Sequence, residues 1–294
     1  MSPHHLALLI FVNALWGLNF PAGKIGTETF GPLMFSTLRF AVVLLLLFPF
    51  IRVVKGQMKL IVVIGVCLGA GHYSIMFYAL YLGDNISSLA IAAQLTVPFS
   101  TILAIVFLGE RIRFIRIFAI SLSFLGVVVI GFEPVGTEHL VALLAATVAS
   151  AVMAVAAILM RRLSGVGVFN LQGWIALVST LVLALLTVTF EFQSFSKLRD
   201  ISLVQYWTPL YSAVGATIIG HGSLYYLLQR YEVNHVAPFI TLSSLFAVVF
   251  GILFMDESLT LKIVCGGLLT LLGVTIIALR NARQSTPSGV RVPR

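Results

Sequence analysis

Charged residues are scarce in this chain of 294 residues. Asp, Glu, Lys and Arg make up 10% of it, whereas 60% of the residues are apolar and the mean hydropathy is +1.08. A soluble domain is about half apolar and about one quarter charged. The composition therefore excludes a water-soluble globule and predicts an integral membrane protein.

Cysteine is also rare. Cys67 and Cys265 each lie within an apolar run, with no His or Cys partner at metal-ligand spacing. A disulfide framework and a zinc site are therefore not expected, and we predict neither a metal nor a cofactor. The chain also lacks His-Glu-x-x-His, Gly-x-Ser-x-Gly and a pair of midspan aspartates, so we predict that it is not an enzyme.

Apolar runs fill most of the chain. At about 1.5 Å of rise per residue, a hydrocarbon core of about 30 Å takes about 20 residues. Runs of this length predict an all-α fold of ten transmembrane helices, at about 5–27, 33–51, 59–82, 86–108, 113–131, 138–161, 168–190, 207–229, 235–255 and 260–280. The remaining loops average under about ten residues, which excludes a soluble nucleotide-binding domain and therefore an ATP-driven pump in a single chain.

The basic residues fall mainly on one side of this topology. Of the 18 Lys and Arg residues, 13 lie on the side shared by both termini and three on the other, while Lys24 and Arg39 lie in or near spans. Because basic loops stay in the cytoplasm, both termini are expected there. The net charge of +8 then reflects orientation in a lipid bilayer rather than a nucleic-acid partner. We expect residues 281–294 to form a disordered cytoplasmic tail.

The two halves of the chain resemble each other. A gapless shift of 147 residues aligns 78–131 with 225–278, and it places Glu110 on Glu257 and Gly126 on Gly273. We therefore predict two five-helix repeats, residues 1–132 and 133–280. Because five spans begin and end on opposite sides, the second repeat is inverted. Inverted repeats place a substrate site near the midplane, so this pattern favours a transporter with alternating access.

Several short motifs, each weak alone, occur in a specific order and spacing over about 5–280. They are Trp16-Gly17-x-Asn19-Phe20 with Lys24, Leu38-Arg39-Phe40, Leu108-Gly109-Glu110 and Met255-Asp256-Glu257. Together they resemble the EamA-type family of the drug/metabolite transporter superfamily, and within it the bacterial aromatic-amino-acid exporters. The resemblance implies a ten-helix carrier in the bacterial inner membrane that exports amino acids or related metabolites. One departure is that 145–162 lacks an aromatic residue answering Trp16.

Two prolines mark irregular backbone inside spans. Pro21 removes the usual partner of the Gly17 carbonyl, and Pro98 removes that of the Gln94 carbonyl. Irregular backbone persists in a membrane where it is buried in protein or lines a wet cavity. Gly17, Pro21 and Pro98 are thus candidate hinge or kink residues. Trp16, Asn19 and Gln94 are candidates for a polar cavity wall, with a purely structural kink as the alternative.

Histidine and tyrosine cluster in helices 3 and 8, which correspond in the two halves. An aromatic-lined cavity suits aromatic or apolar side chains and holds ammonium groups by cation–π attraction. The alternative for each histidine is an interhelical hydrogen bond. With Trp16, Asn19 and Gln94, the predicted substrate-binding residues are His72, Tyr73, Tyr78, His221 and Tyr225.

No acidic residue falls at the predicted midplane, since all ten Asp and Glu lie at span ends or in loops. Coupling to protons through a carboxylate is therefore disfavoured, and we predict facilitated transport, with His72 or His221 as the remaining titratable groups. Arg39, Glu110 and Glu257 are candidate gate or structural residues. Arg39 either anchors the fold or meets a substrate carboxylate.

The favoured function is export of amino acids, aromatic or large and apolar, through a central cavity between the repeats. Phosphorylated metabolites and nucleotide sugars would need several convergent cations, and only Lys24 and Arg39 are available. Carriage of other metabolites or lipophilic cations, and a non-transporting membrane subunit, are the alternatives. The sequence does not define an oligomeric state.

Overall fold

A computed structural model of the chain describes residues 1–108, 114–132, 137–231 and 233–284, and every regular element in these ranges is helical. In the first half the helices are α1 (Pro3–Phe30), α2 (Pro32–Phe50), α3 (Met58–Leu82), α4 (86–108) and α5 (Phe114–Gly131). In the second half the long helices are α6 (Thr137–Met160), α7 (Val168–Phe190), α8 (207–228), α9 (233–255) and α10 (Leu261–Gln284), and two short helices, Ser194–Lys197 and Leu203–Tyr206, lie between α7 and α8. These bounds agree with the predicted spans to within a few residues.

Eight of these helices, α1 to α7 and α10, are long and apolar enough to cross a membrane. The apolar part of α9, Leu242–Met255, is shorter, and α8 is not among the eight because polar residues are interspersed along it, so the count of ten spans stays a prediction. Large apolar side chains such as Leu45, Leu181 and Leu185 are exposed on the outside of the bundle, as lipid contact requires. The chain is an all-α, multi-pass membrane protein.

Local sequence explains several helix ends. Gly31, at a φ of +88°, separates α1 from α2, and Pro32 starts α2 where no amide partner is needed. A Cβ at Gly31 would also lie 2.8 Å from a carboxylate oxygen of Glu191. The side chain of Asn85 caps α4 by accepting the backbone N–H of Ser88 at 2.8 Å.

Four helices deviate from regular α geometry at matching positions. In α3 a π-helical stretch covers Val66–Tyr73, which the 147-residue shift places at 213–220, inside the π-helical stretch Ser212–His221 of α8. In α4 the helix breaks at Gln94, which the same shift places on Thr241, the break in α9. The two halves therefore share backbone irregularities as well as sequence.

Helix packing follows the same correspondence. If each helix is paired with the one five places later, the extensive contacts α5–α10 and α2–α7 map onto themselves. The α1–α9 contact corresponds to a contact between α6 and α4, and the α1–α8 contact corresponds to one between α6 and α3. All four contacts are present. The centre of the bundle lies where α1, α3, α4, α8 and α9 meet.

Helices α5 and α10 approach each other closely. A Cβ at Gly126 would overlap the carbonyl oxygen of Gly266 and would lie 2.6 Å from the backbone nitrogen of Thr270. Gly273 is the repeat equivalent of Gly126, and a Cβ there would lie 2.8 Å from the backbone nitrogen of Ser123. Small residues thus allow the two backbones to touch.

The predicted tail begins too early. The last helix continues through Asn281 to Gln284, because Asn281 accepts a hydrogen bond from Arg116 of α5 at 2.8 Å and donates one to Thr101 of α4 at 3.2 Å. Residues 285–294 lie outside the described part of the chain.

Candidate functional site

A cavity of about 380 Å³ lies at the centre of the bundle. Its wall is formed by α1 to α4 of the first half and by α6, α8 and α9 of the second half. The volume falls within the range of small-molecule sites, about 300–1,000 Å³. Of the predicted substrate-binding residues, those on its wall are Trp16, Asn19, His72, Tyr73, Gln94 and His221.

Arg39 of α2 also lies on this wall and is 1% exposed. Its Cζ lies 3.9 Å from the centroid of the Tyr73 ring, 5.2 Å from that of Phe40 and 5.4 Å from that of Phe77. Nη2 donates a hydrogen bond to Thr217 Oγ1 at 2.8 Å, whereas Nε and Nη1 have no partner among the described residues. The aromatic rings hold the guanidinium by cation–π attraction while part of its donor capacity remains unused.

Trp16 joins α1 to α8 beside the cavity. Its Nε1 donates to the Ala216 carbonyl at 2.9 Å, and its ring lies 5.4 Å from the His221 ring, centroid to centroid. A Cβ at Gly220 would lie 2.6 Å from Trp16 Nε1, so the contact requires a residue without a side chain at this position of α8. The indole is therefore held against α8 on the cavity wall.

Both cavity histidines bond to backbone carbonyls. His72 Nδ1 lies 2.9 Å from the carbonyl oxygen of Ala149 in α6, and His221 Nδ1 lies 3.2 Å from that of Thr217. Because a carbonyl oxygen only accepts, Nδ1 carries the proton in each ring. The interhelical hydrogen bond considered for histidine thus exists for His72, whose ring is also in edge contact with Tyr73 at 4.7 Å.

The breaks in α4 and α9 bring polar groups to the cavity. Gln94 Nε2 donates to Ser243 Oγ at 3.4 Å, which links the two broken helices. The carbonyl of Gln94 accepts the N–H of Val97 at 3.1 Å, so the group freed by Pro98 keeps a partner. Asn19 of α1 adds a further polar group to the wall, and its Oδ1 is buried with no hydrogen-bond partner among the described residues.

The other predicted kink behaves differently. Helix α1 continues without a break through Pro21. Gly17 instead marks a close helix crossing, because a Cβ there would overlap Phe246 of α9 and lie 2.9 Å from the backbone nitrogen of Ala247. The structure thus places a break at Gln94, near Pro98, and a tight packing contact at Gly17.

Tyr78 and Tyr225, predicted as substrate contacts, lie outside the central cavity. Tyr78 is 47% exposed and borders a groove with Glu191, while Tyr225 is 40% exposed and borders a separate groove of about 720 Å³ beside Phe169. On a helix of 3.6 residues per turn, Tyr78 lies about 100° around the axis from Phe77, which does line the cavity. We therefore leave both tyrosines out of the proposed site.

Glutamate side chains connect helix ends at the end of the bundle where α1 is followed by α2. Lys24 Nζ pairs with Glu28 Oε1 at 3.0 Å and donates to the Tyr81 carbonyl at 3.3 Å. Glu28 thus gives the buried Lys24 a counter-charge. Since Lys24 is buried, the contact ties the end of α1 to the end of α3.

Two further glutamates at this end bind helix N-termini. Glu257 accepts the backbone N–H of Ile86 and both the N–H, at 3.2 Å, and the hydroxyl of Ser87. Glu191 accepts the N–H groups of Leu33 and Met34, each at 3.0 Å. Burial raises the pKa of the Glu257 carboxyl above its ordinary value, and its hydrogen bonds and the charge of Lys24 oppose that rise. Glu110, its repeat equivalent, lies outside the described residues.

Some wall residues carry no signature in the sequence. Apolar side chains such as Val97, Met153, Leu224 and Ile240 line the cavity but look like any other apolar residue of a membrane helix. Thr96 and Ser243, which both line it, are related by the 147-residue shift. Extending the repeat to small polar residues would have identified this pair.

Membrane-spanning helices around a central polar and aromatic cavity are typical of membrane transporters. The model of the EamA-like transporter family matches residues 5–132 and 139–279. The chain belongs to this family.

Similar proteins agree with this assignment. The chain is 27% identical over 279 residues to a probable amino-acid metabolite efflux pump of Escherichia coli (strain K12), covering 92% of this chain and 93% of that protein. A protein of the same name from Salmonella typhimurium is 27% identical over 297 residues, covering 97% and 98%. An uncharacterized transporter of Archaeoglobus fulgidus is 25% identical, covering 92% and 97%.

A solved crystal structure shares the fold. It matches with a TM-score of 0.61 at 17% identity and covers 97% of this chain and 99% of that chain. The fold of the described residues is thus known from experiment.

Proposed function

We propose that this transporter exports amino acids with aromatic or large apolar side chains, and related metabolites, by alternating access through the central cavity. The observation that carries the proposal is the cavity wall, where Trp16, Tyr73 and Phe77 contribute aromatic rings and Asn19 and Gln94 contribute polar groups. Such a wall suits a substrate with an apolar side chain and a small polar end. The names of the Escherichia coli and Salmonella relatives support the same substrate class.

Alternating access is supported by the two halves. The matching π-helical stretches, the matching breaks at Gln94 and Thr241, and the contact pattern fit two inverted five-helix repeats, 1–132 and 133–280. The contacts of Lys24, Glu191 and Glu257 act as a gate at one end of the cavity. With both termini in the cytoplasm of a bacterium, as the basic loops favour, this gate lies on the outer side of the inner membrane.

Transport is proposed to be facilitative. None of the described residues on the cavity wall is Asp or Glu, so a carboxylate that loads and releases protons is missing from the described pathway. His72 and His221 are the titratable groups that would couple protons if a gradient drives accumulation.

The test is uptake of a labelled amino-acid panel into liposomes containing the purified full-length protein, at equal pH and then with a proton gradient. Saturable uptake without a gradient supports facilitated transport, and accumulation only with one indicates coupling. Ala93→Phe places a ring in the cavity wall and should abolish uptake, whereas Ala7→Phe, at an exposed position, should not. Uptake no faster than in protein-free vesicles for every amino acid would refute the substrate class and favour other metabolites or lipophilic cations.

A further inference from the structure

Arg39 is a buried cation without a counter-charge in the described part of the chain. It is 1% exposed, it is the one Lys or Arg on the described cavity wall, and no described carboxylate pairs with it. A guanidinium does not lose its proton in a protein, so the charge persists. Burying an unpaired charge is costly, and an anion beside it would offset that cost.

The donors of Arg39 are arranged for such an anion. Thr217 Oγ1 accepts from Nη2, and the same hydroxyl donates to the Ser212 carbonyl at 3.0 Å across the π-helical stretch of α8. Since the hydroxyl proton is committed to Ser212, its oxygen acts as an acceptor and fixes the orientation of the guanidinium. Arg39 is one of the residues that line the cavity, and its Nε and Nη1 are buried with no partner among the described residues.

The size of the charge distinguishes among ligands. A carboxylate carries one negative charge and matches the donor geometry of a guanidinium. A phosphate would need more cations than the described wall offers, and a lipophilic cation would be repelled. The cavity wall also includes Phe20, Met76 and Leu80, whose apolar side chains suit an apolar part of the substrate.

We propose that Arg39 binds the carboxylate of the substrate and thereby makes a free carboxylate a requirement for recognition. This inference rests on the proposed function, since it names the group by which an amino acid is recognised in the same cavity. Thr217 acts as a positioning residue, because it reaches the substrate only through Arg39.

The experiment compares L-phenylalanine with L-phenylalaninamide, which keeps the ring and the amino group but lacks the carboxylate, and with 3-phenylpropionate, which keeps the ring and the carboxylate but lacks the amino group. Each is tested as a competitor of labelled L-phenylalanine uptake and as a ligand that raises the melting temperature of the detergent-solubilised protein. In the wild type, L-phenylalanine should bind at least about tenfold more tightly than the amide, as loss of a charge-assisted hydrogen bond predicts. 3-Phenylpropionate should bind more tightly than the amide as well.

Variants separate recognition from folding. Arg39→Gln should reduce the acid-to-amide preference to about one, Arg39→Lys should retain part of it, and Thr217→Val should reduce it without removing it. Arg116→Gln removes another buried guanidinium, one that bonds to Asn281 away from the cavity, and should leave the preference unchanged. A ratio is unaffected by the amount of folded protein, so a merely structural role would not move it.

The outcomes distinguish this inference from the function it rests on. Equal binding of acid and amide to the wild type, binding of none of the three probes, or an unchanged preference in Arg39→Gln would overturn it. Uptake of amino acids with no carboxylate preference would leave the proposed function standing. Binding of the carboxylates without any amino-acid uptake would overturn the proposed function and leave the carboxylate site.

Discussion

Glu257 and Ser87 bind each other across the two halves of the chain. The Glu257 carboxylate accepts the backbone N–H of Ser87 at 3.2 Å and also its hydroxyl, while its other oxygen accepts the N–H of Ile86. These amides start α4 and have no partner within the helix. A negative charge at a helix N-terminus is also favoured by the helix dipole. One side chain thus caps α4 and ties it to the end of α9.

Replacing this carboxylate should destabilise the protein. Glu257→Ala removes the acceptor from several partly buried donors, which should lower the free energy of unfolding by about 1–3 kcal/mol. Glu257→Gln keeps one acceptor oxygen and should have a smaller effect. Thermal unfolding in detergent measures both against Asp200→Ala, which removes an exposed carboxylate from the α7–α8 connection. A melting temperature for Glu257→Ala equal to that of the control would refute the capping role.

The glycine contact between α5 and α10 should tolerate no added atom. Gly126→Ala would push a Cβ into the Gly266 carbonyl, and overpacking of this kind costs about 1–3 kcal/mol. Gly167→Ala, where nothing lies within 4 Å, is the matched control and should melt like the wild type. If the two variants melt alike, the contact is looser than the structure shows.

Trp16→Phe should slow transport while leaving most of the ring contact in place. The change removes the hydrogen bond from Nε1 to Ala216, worth about 0.5–1.5 kcal/mol, so the initial uptake rate should fall about two- to tenfold. Trp207→Phe, at a half-exposed tryptophan that starts α8, should transport at the wild-type rate. An equal loss in both would point to a general cost of replacing tryptophan.

Membrane orientation can be read by cysteine labelling. In a background where Cys67 and Cys265 are alanine, Lys197→Cys should react with an impermeant maleimide in intact cells. Lys55→Cys should react only after the membrane is permeabilised, because basic loops on its side are expected in the cytoplasm. Both positions are exposed in the structure. The reverse pattern would invert the topology.

The sequence predicts the helices well and the walls of the cavity less well. Spans are set by runs of apolar residues, a property of consecutive positions, and the matched irregularities of α3 and α8 accompany the repeat visible in Glu257 and Gly273. Trp16, His72 and His221 were located because polar and aromatic residues are unusual inside spans. Apolar wall residues such as Met153 have no such contrast.

The predictions for the two tyrosines and for Arg39 depended on the direction in which a side chain points, which the sequence alone does not determine. Tyr78 and Tyr225 are repeat equivalents, but helix α3 and helix α8 turn both away from the cavity. Arg39 could equally anchor the fold or meet a ligand until its neighbours were known. Its position over the Tyr73 ring, with two nitrogens unpartnered among the described residues, is a tertiary property.

The charge on the described cavity wall has an electrical consequence. A membrane potential acts on net charge, at about 2.3 kcal/mol per elementary charge for each 100 mV. A zwitterionic amino acid carries none, and Arg39 is fixed by Thr217 and Tyr73 rather than carried across. Under the facilitated mechanism that we propose, each transport cycle then moves no current, so the resting voltage of the cell neither drives nor opposes export, and the amino-acid concentrations on the two sides alone set the direction of flow.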